Sequence, residues 1–123
     1  MSMVSLNINN GVGVIRLNNP PVNALSHSLR LGIMEAIKKA QTDLCDVIVL
    51  ICEGRTFIAG ADISEFGKPP QSPSLSQVIT CIEESAKPVI AAIHGTALGG
   101  GFEVALACHY RCAVHSAKLG LPE

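Results

Sequence analysis

Glu103 is preceded by three consecutive glycines, Gly99–Gly101, and by Phe102, in the stretch AIHGTALGGGFEVALACHY. The residues after it, VALA, read as the body of a helix whose only charge is that glutamate. Glycine lets backbone pass close to a ligand without a Cβ in the way. A helix leaves its first N–H groups without internal partners, and its dipole adds partial positive charge at that end. LGGGF is therefore a place to hold negative charge, whether phosphate, carboxylate or an oxyanion that develops during a reaction. The phosphate reading fits poorly, because no Lys-Ser/Thr follows the glycines, and the other G-x-G, GVGVIR, lacks a third glycine and falls in a hairpin pattern. An oxyanion hole needs two N–H donors with an acid or base nearby. A second glycine-containing loop, IAGAD (residues 58–62), follows a strand pattern and offers the other donor.

These segments need a scaffold, and the chain supplies one. VSLNIN and VGVIRL alternate around Asn9-Asn10-Gly11 and predict a β-hairpin. NNPPVNALS is a loop, since paired prolines fit neither a helix interior nor a central strand. A helix begins near Ser26, with Leu29, Ile33, Ala36, Ile37 and Ala40 as its apolar stripe. DVIVLIC and PVIAAIH read as continuously buried strands, and YRCAVH as a third. Ser74-x-x-Gln77 is a capping-box pattern opening a second helix, with Leu75, Val78, Ile79, Ile82 and Ala86 inward. Helices alternating with apolar strands predict an α/β fold with a largely parallel sheet.

The 123 residues allow one domain or part of a larger one. With 48% hydrophobic and 15% charged residues the chain is expected to be ordered, and a net charge of −1 without a basic run argues against nucleic acid or an anionic membrane as partner. The densest apolar run, VIVLIC, is too short for membrane insertion, and the N-terminus lacks the pattern of a secretory signal. Five cysteines in apolar contexts read as reduced, buried thiols of a soluble intracellular protein. AKLGLPE ends where a loop leads onward, so the chain is expected to be the front part of something longer.

FIAGADI, PVIAAIHGTALGGGFEVALAC and LGLPE, in this order and spacing, resemble the enoyl-CoA hydratase/isomerase (crotonase) superfamily over nearly the whole chain. NPPVNALS and ACHYRCAV…GLPE resemble the hydratase/isomerase part of multifunctional fatty-acid β-oxidation enzymes. The resemblance implies the N-terminal part of a crotonase-like spiral of β-β-α repeats, a hydratase/isomerase domain spanning residues 1–123. It implies that backbone N–H groups of Ala61 and Gly100 form the oxyanion hole and that Glu103 and Glu123 are the catalytic carboxylates. Val22, Ala24, Leu25, Gly60, Ala61, Asp62, Ile63, Gly99 and Gly100 would line the coenzyme A thioester site. The implied substrate is an acyl-CoA, hydrated as the trans-2-enoyl thioester, with Δ3-to-Δ2 isomerisation as a second activity. The hydratase step needs no cofactor. NAD enters only with a downstream 3-hydroxyacyl-CoA dehydrogenase part, and the domain would be oligomeric or packed against the rest of such a chain. The compartment would be cytoplasmic in a bacterium and peroxisomal in a eukaryote.

Two carboxylates about 6 Å apart at an effective dielectric of about 20 repel by roughly 3 kcal/mol, so burial and repulsion together would keep one ionised and the other protonated. Taken singly, Glu103 is an ordinary first-turn glutamate and Glu123 a loop residue; the joint pattern raises them. Asp62-x-x-Glu65 reads as a cap without a chemical role. Cys108, Cys112, His109 and His115 suggest zinc, but the alternation of a strand sends Cys112 and His115 to opposite faces, so no metal is expected. His27 and His94 read as structural or surface residues. The rival readings are a non-catalytic acyl-CoA-binding or subunit-interaction fragment of the same fold, and a nucleotide-binding α/β module.

Overall fold

The computed structural model describes residues 3–60 and 62–122. The chain opens with β1 (Val4–Asn9) and β2 (Val12–Leu17), paired antiparallel around Asn10-Gly11. Both turn residues have positive φ, 51° and 81°, the turn geometry that matches strand twist. Helix α1 (His27–Thr42) starts where the Ser26 side chain accepts the Leu29 N–H, and its five buried residues are Leu29, Ile33, Ala36, Ile37 and Ala40, the expected stripe. Lys87 Nζ closes its far end by donating to the Ala40 and Asp43 carbonyls at 2.6 and 2.8 Å.

Strand β3 (Val47–Cys52) leads through a single 3₁₀ turn (Ile63–Glu65) to α2 (Leu75–Glu83). The capping box forms: Gln77 N–H donates to Ser74 Oγ and Ser74 N–H to Gln77 Oε1. Val78 and Ile82 are buried, but Ala86, expected inward, lies beyond the helix end and is exposed. Its N–H donates to Gln41 Oε1 instead. Then follow β4 (Val89–Ile93), β5 (Thr96–Leu98), α3 (Gly100–Ala107), β6 (Tyr110–Ala113) and β7 (Lys118–Gly120).

The main sheet has the order β1-β2-β3-β4-β6, parallel throughout except for β1, and β5 pairs with β7 in a small second parallel sheet. β5 and β7 were not anticipated from the sequence: KLG was expected to be loop. One face of the main sheet carries Ile15, Leu17, Ile48, Leu50, Val89 and Ala91, all fully buried in one core with α1 and α2. The other face corrects the expectation of continuous burial. Val47, Val49, Ile51, Ile90 and Ala92 are only half-buried, and β6 is exposed throughout. Among the described residues helices cover one side of the sheet only, so parallel strands that are apolar on both faces still alternate in burial.

Candidate active site

The junction between β5 and α3 is built around the glycines. Gly99 caps α3 with φ 56° and ψ −123°, a conformation that disfavours any residue with a Cβ. Gly100 is the first residue of the helix, so its N–H has no partner within α3. Gly101 is needed for closeness: a Cβ there would lie 2.0 Å from the Ile58 carbonyl oxygen. The helix start is thus pressed onto the segment that runs from β3 toward Asp62. Glu103 N–H donates to the Gly99 carbonyl, placing Glu103 in the first turn of α3, where its charge complements the dipole. Its side chain is exposed among the described residues.

The 54–60 segment is fastened alongside β5. Phe57 N–H donates to the His94 carbonyl, Leu98 N–H to the Ile58 carbonyl, and the Thr56 hydroxyl exchanges bonds with Thr96 at 2.7 and 2.9 Å. The proposed thioester-binding loop joins from the other side, with Ala59 N–H bonded to the Val22 carbonyl and Leu25 N–H to the Gly60 carbonyl. Val22, Ala24, Leu25, Gly60, Gly99 and Gly100 therefore converge. Leu25 is buried, and its Cδ1 would lie 3.0 Å from a Cβ on Gly100.

Ala61 and Glu123 lie outside the described residues, and of Ile63 only the backbone, in the 3₁₀ turn, is described. The approach to Glu123 is described, however. Parallel pairing of β5 with β7 brings Gly120 beside the glycines, and Gly99 N–H donates to the Gly120 carbonyl at 3.0 Å.

A cleft of about 700 Å³ has Leu25, Leu75, Phe66, Pro69 and Pro70 among its lining, and Leu25 and Leu75 are the side chains that flank Gly100. A second groove, about 450 Å³ between α1 and α2, contains none of the candidate site residues. The Asp62-x-x-Glu65 pattern is half right. Asp62 Oδ1 accepts the Ser64 hydroxyl and N–H, which hold its carboxyl below the usual range. Glu65 instead turns away, accepting the His27 N–H at 2.7 Å and the Arg30 guanidinium at 3.1 Å. The His27 bond chiefly lowers its carboxyl; burial opposes it, and the Arg30 bond and charge add smaller lowering effects.

Two site residues escaped the sequence reading. Asn23, at positive φ and buried, accepts the Asn19 N–H and donates to the Glu53 and Thr56 carbonyls, tying the 19–25 loop to the 53–60 segment. An asparagine two residues after a Pro-Pro pair and before a small residue was a fair hint of a left-handed turn. Arg30 had no signal, because its acceptors are mostly distant carbonyls. His27 and His94 are structural, bonded to the Ser72 and Gly54 carbonyls, and His109 joins Val89 N–H to α2. Cys108 is buried while Cys112 is exposed, and no group suited to a metal occurs among the described residues. Burial pushes the thiols of Cys52 and Cys108 up to about 12, so they are poor nucleophiles, as their apolar neighbours suggested. No helix among the described residues is long and apolar enough to cross a membrane.

The family model described as enoyl-CoA hydratase/isomerase matches residues 7–123. The chain is 50% identical over 117 residues to a peroxisomal bifunctional enzyme of Danio rerio, an alignment covering 94% of the chain and 16% of that protein. It is 45% identical over 131 residues to a probable enoyl-CoA hydratase of Bacillus subtilis, covering all of the chain and 51% of the relative. The crystal structure of an enoyl-CoA hydratase from Thermoplasma volcanium superposes with a TM-score of 0.90 at 28% identity, over the whole chain and 52% of that structure. The chain thus spans about half the length of single-function relatives and about a sixth of the bifunctional one.

Proposed function

This chain belongs to the enoyl-CoA hydratase/isomerase family and has its crotonase fold, and from that premise we propose that the protein hydrates trans-2-enoyl-CoA to 3-hydroxyacyl-CoA in fatty-acid β-oxidation. The observation that carries the reading is the bond from Gly99 N–H to the Gly120 carbonyl. It draws Gly120 alongside the turn that launches Glu103, which supports the reading that Glu103 and Glu123, 20 positions apart in sequence, serve one site.

In this reading the thioester oxygen lies at the N-terminus of α3 and accepts the Gly100 N–H, with Ala61 N–H as the second donor. Charge builds on that oxygen as water adds to the β-carbon, and one well-placed donor is worth roughly 3–4 kcal/mol of barrier. Glu103 orients the water and takes its proton, and Glu123 delivers a proton to the α-carbon, so the net reaction adds one water across the double bond. Val22, Ala24, Leu25, Gly60, Asp62, Ile63 and Gly99 shape the acyl-CoA site. No cofactor takes part. Isomerisation of a 3-enoyl thioester needs only proton exchange at carbon and falls within reach of Glu123. In a bifunctional protein the 3-hydroxyacyl product would pass to an NAD-dependent dehydrogenase part, and a eukaryotic form would be peroxisomal.

The test uses Glu103→Gln and Glu123→Gln in the full-length protein, assayed on a trans-2-enoyl-CoA and a 3-enoyl-CoA. Glu123→Gln is expected to lose both reactions by about 10²- to 10⁴-fold, whereas Glu103→Gln loses hydration and keeps more of the isomerisation. A greater loss of isomerisation in the Glu103 variant would reverse the two roles. Full hydration in both variants would end the proposal.

A further inference from the structure

The wall of the cleft beside Gly100 is a stretch of chain with almost no structure of its own. Between Glu65 and Ser74 it has neither helix nor strand, and Pro69, Pro70 and Pro73 have no N–H to donate. Its internal backbone support among the described residues is the Lys68 N–H to Glu65 carbonyl bond at 3.2 Å. Its carbonyls are instead gripped from the first turn of α1. Arg30 Nε donates to the Pro73 carbonyl at 2.8 Å and Nη2 to the Gln71 carbonyl at 3.3 Å. Nη1 reaches Glu65 Oε1 at 3.1 Å and the Leu25 carbonyl at 2.7 Å. His27 adds its N–H to Glu65 Oε2 and its Nε2 to the Ser72 carbonyl, both at 2.7 Å.

One guanidinium thus connects the two lips of the cleft: Leu25 on the glycine side, and Glu65, Gln71 and Pro73 on the wall. Its side chain is only 12% exposed, so these are not loose surface pairings. Resting on the proposed function, we infer that Arg30 is a positioning residue, which fixes the 66–73 wall at the distance from Gly100 that a bound acyl thioester requires. A planar fork satisfies four acceptors in separate directions. A lysine ammonium offers three donors from one point and cannot span Leu25, Glu65 and Pro73 together. Charge alone therefore does not meet the requirement, and this separates a brace from an ordinary ion pair.

The experiment compares full-length parent protein with Arg30→Lys, after circular dichroism has confirmed folding. Phe66 is 69% exposed at the base of the wall, so chymotryptic cleavage after it reports wall opening without any substrate. Cleavage is expected to quicken about tenfold in Arg30→Lys, since proteolysis of a locally opened segment tracks its opening equilibrium. KM for the enoyl-CoA should rise about tenfold with kcat within about twofold, the pattern of lost uniform binding. Glu65→Ala, which removes the acceptor shared by His27 and Arg30, should move both readouts in the same direction and keeps the test alive if Arg30→Lys misfolds. Parent-like cleavage in the folded variants overturns the brace. Faster cleavage with unchanged KM overturns the wall's role in binding. If the parent protein hydrates no enoyl thioester, the proposed function fails, while the cleavage rates alone still decide the brace.

Discussion

Two segments meet at the start of α3, and different forces hold them. The glycine junction, Gly99–Gly101, is fixed by shape. Gly101 admits the Ile58 carbonyl where any side chain would collide, and Gly100 is flanked by Leu25 and Leu75. The segments facing it, Val22–Leu25 and Glu65–Pro73, are fixed by polar side chains, chiefly Asn23 reaching out of the first and Arg30 of α1 reaching into both. Close packing has one solution and tolerates almost no change. Hydrogen bonds to loop carbonyls can open singly and reclose. The junction is therefore suited to hold the reacting oxygen, and the facing loops are suited to admit and release a long substrate.

The largest expected effect breaks the rigid side. Gly100→Pro removes the N–H proposed to face the thioester oxygen; proline suits the first position of a helix, although its ring requires the Leu25 and Leu75 side chains to give by a few tenths of an ångström. Turnover should fall by about 10²- to 10³-fold while the fold persists by circular dichroism. Near-parent turnover in a folded variant would remove Gly100 from the oxyanion hole and leave the junction a packing device only.

An intermediate effect probes the hydrogen-bonded side. Asn23→Ala leaves the buried Thr56 carbonyl without its Asn23 donor and puts a Cβ-bearing residue without a polar side chain at positive φ. A destabilisation of about 1–3 kcal/mol is expected from the unsatisfied group, read from denaturant midpoints of the full-length protein. Asn23→Asp keeps the acceptor for the Asn19 N–H, yet it replaces the donating amide with a buried carboxylate oxygen facing the Glu53 and Thr56 carbonyls, so it should be at least as destabilising as Asn23→Ala. If Asn23→Ala is as stable as the parent, the loop is held by packing after all, and the contrast between the two sides disappears.

The same contrast explains what was legible in the sequence. Shape and periodicity leave local marks: the Asn10-Gly11 turn, the α1 stripe, the Ser74–Gln77 box and the glycines at the start of α3 all came through. Ser26, with its bond to Leu29 N–H, marked the helix start within one residue. Long-range polar contacts leave no such mark. Arg30 lies on the partly exposed side of α1, where arginine is commonplace, and three of its four acceptors are backbone carbonyls that every residue possesses. Glu65 showed a capping pattern with Asp62 because the spacing matched, and the closer donors of α1 won instead. β5 and β7 are three residues each, too short for a period of two to register, although their pairing draws Gly120 to Gly99.

The smallest effect sharpens the comparison through acid. Glu65 belongs to the hydrogen-bonded side, and the His27 N–H, followed by Arg30, holds its carboxyl below the ordinary glutamate range. A carboxylate whose value is depressed in the folded state contributes stability that is complete above the unfolded value. That contribution fades as pH falls through the folded one, because only the unfolded chain takes up the proton at first. Melting temperature measured from pH 6 to 3 should therefore drop more steeply in the parent than in Glu65→Gln, which cannot titrate at this position. At neutral pH Glu65→Gln should be slightly less stable, since its amide still accepts from His27 but attracts Arg30 more weakly. Glu65 is partly exposed, so water and salt screen the pair, and the difference should be smaller than that of Asn23→Ala. Amide exchange in the 66–72 stretch, corrected for its intrinsic dependence on pH, should quicken over the same acid range in the parent protein. The rigid glycine junction has no titrating bond in its own backbone contacts, so a matching acid loosening at Gly99–Gly101, followed by hydrogen exchange, would erase the distinction between the two sides.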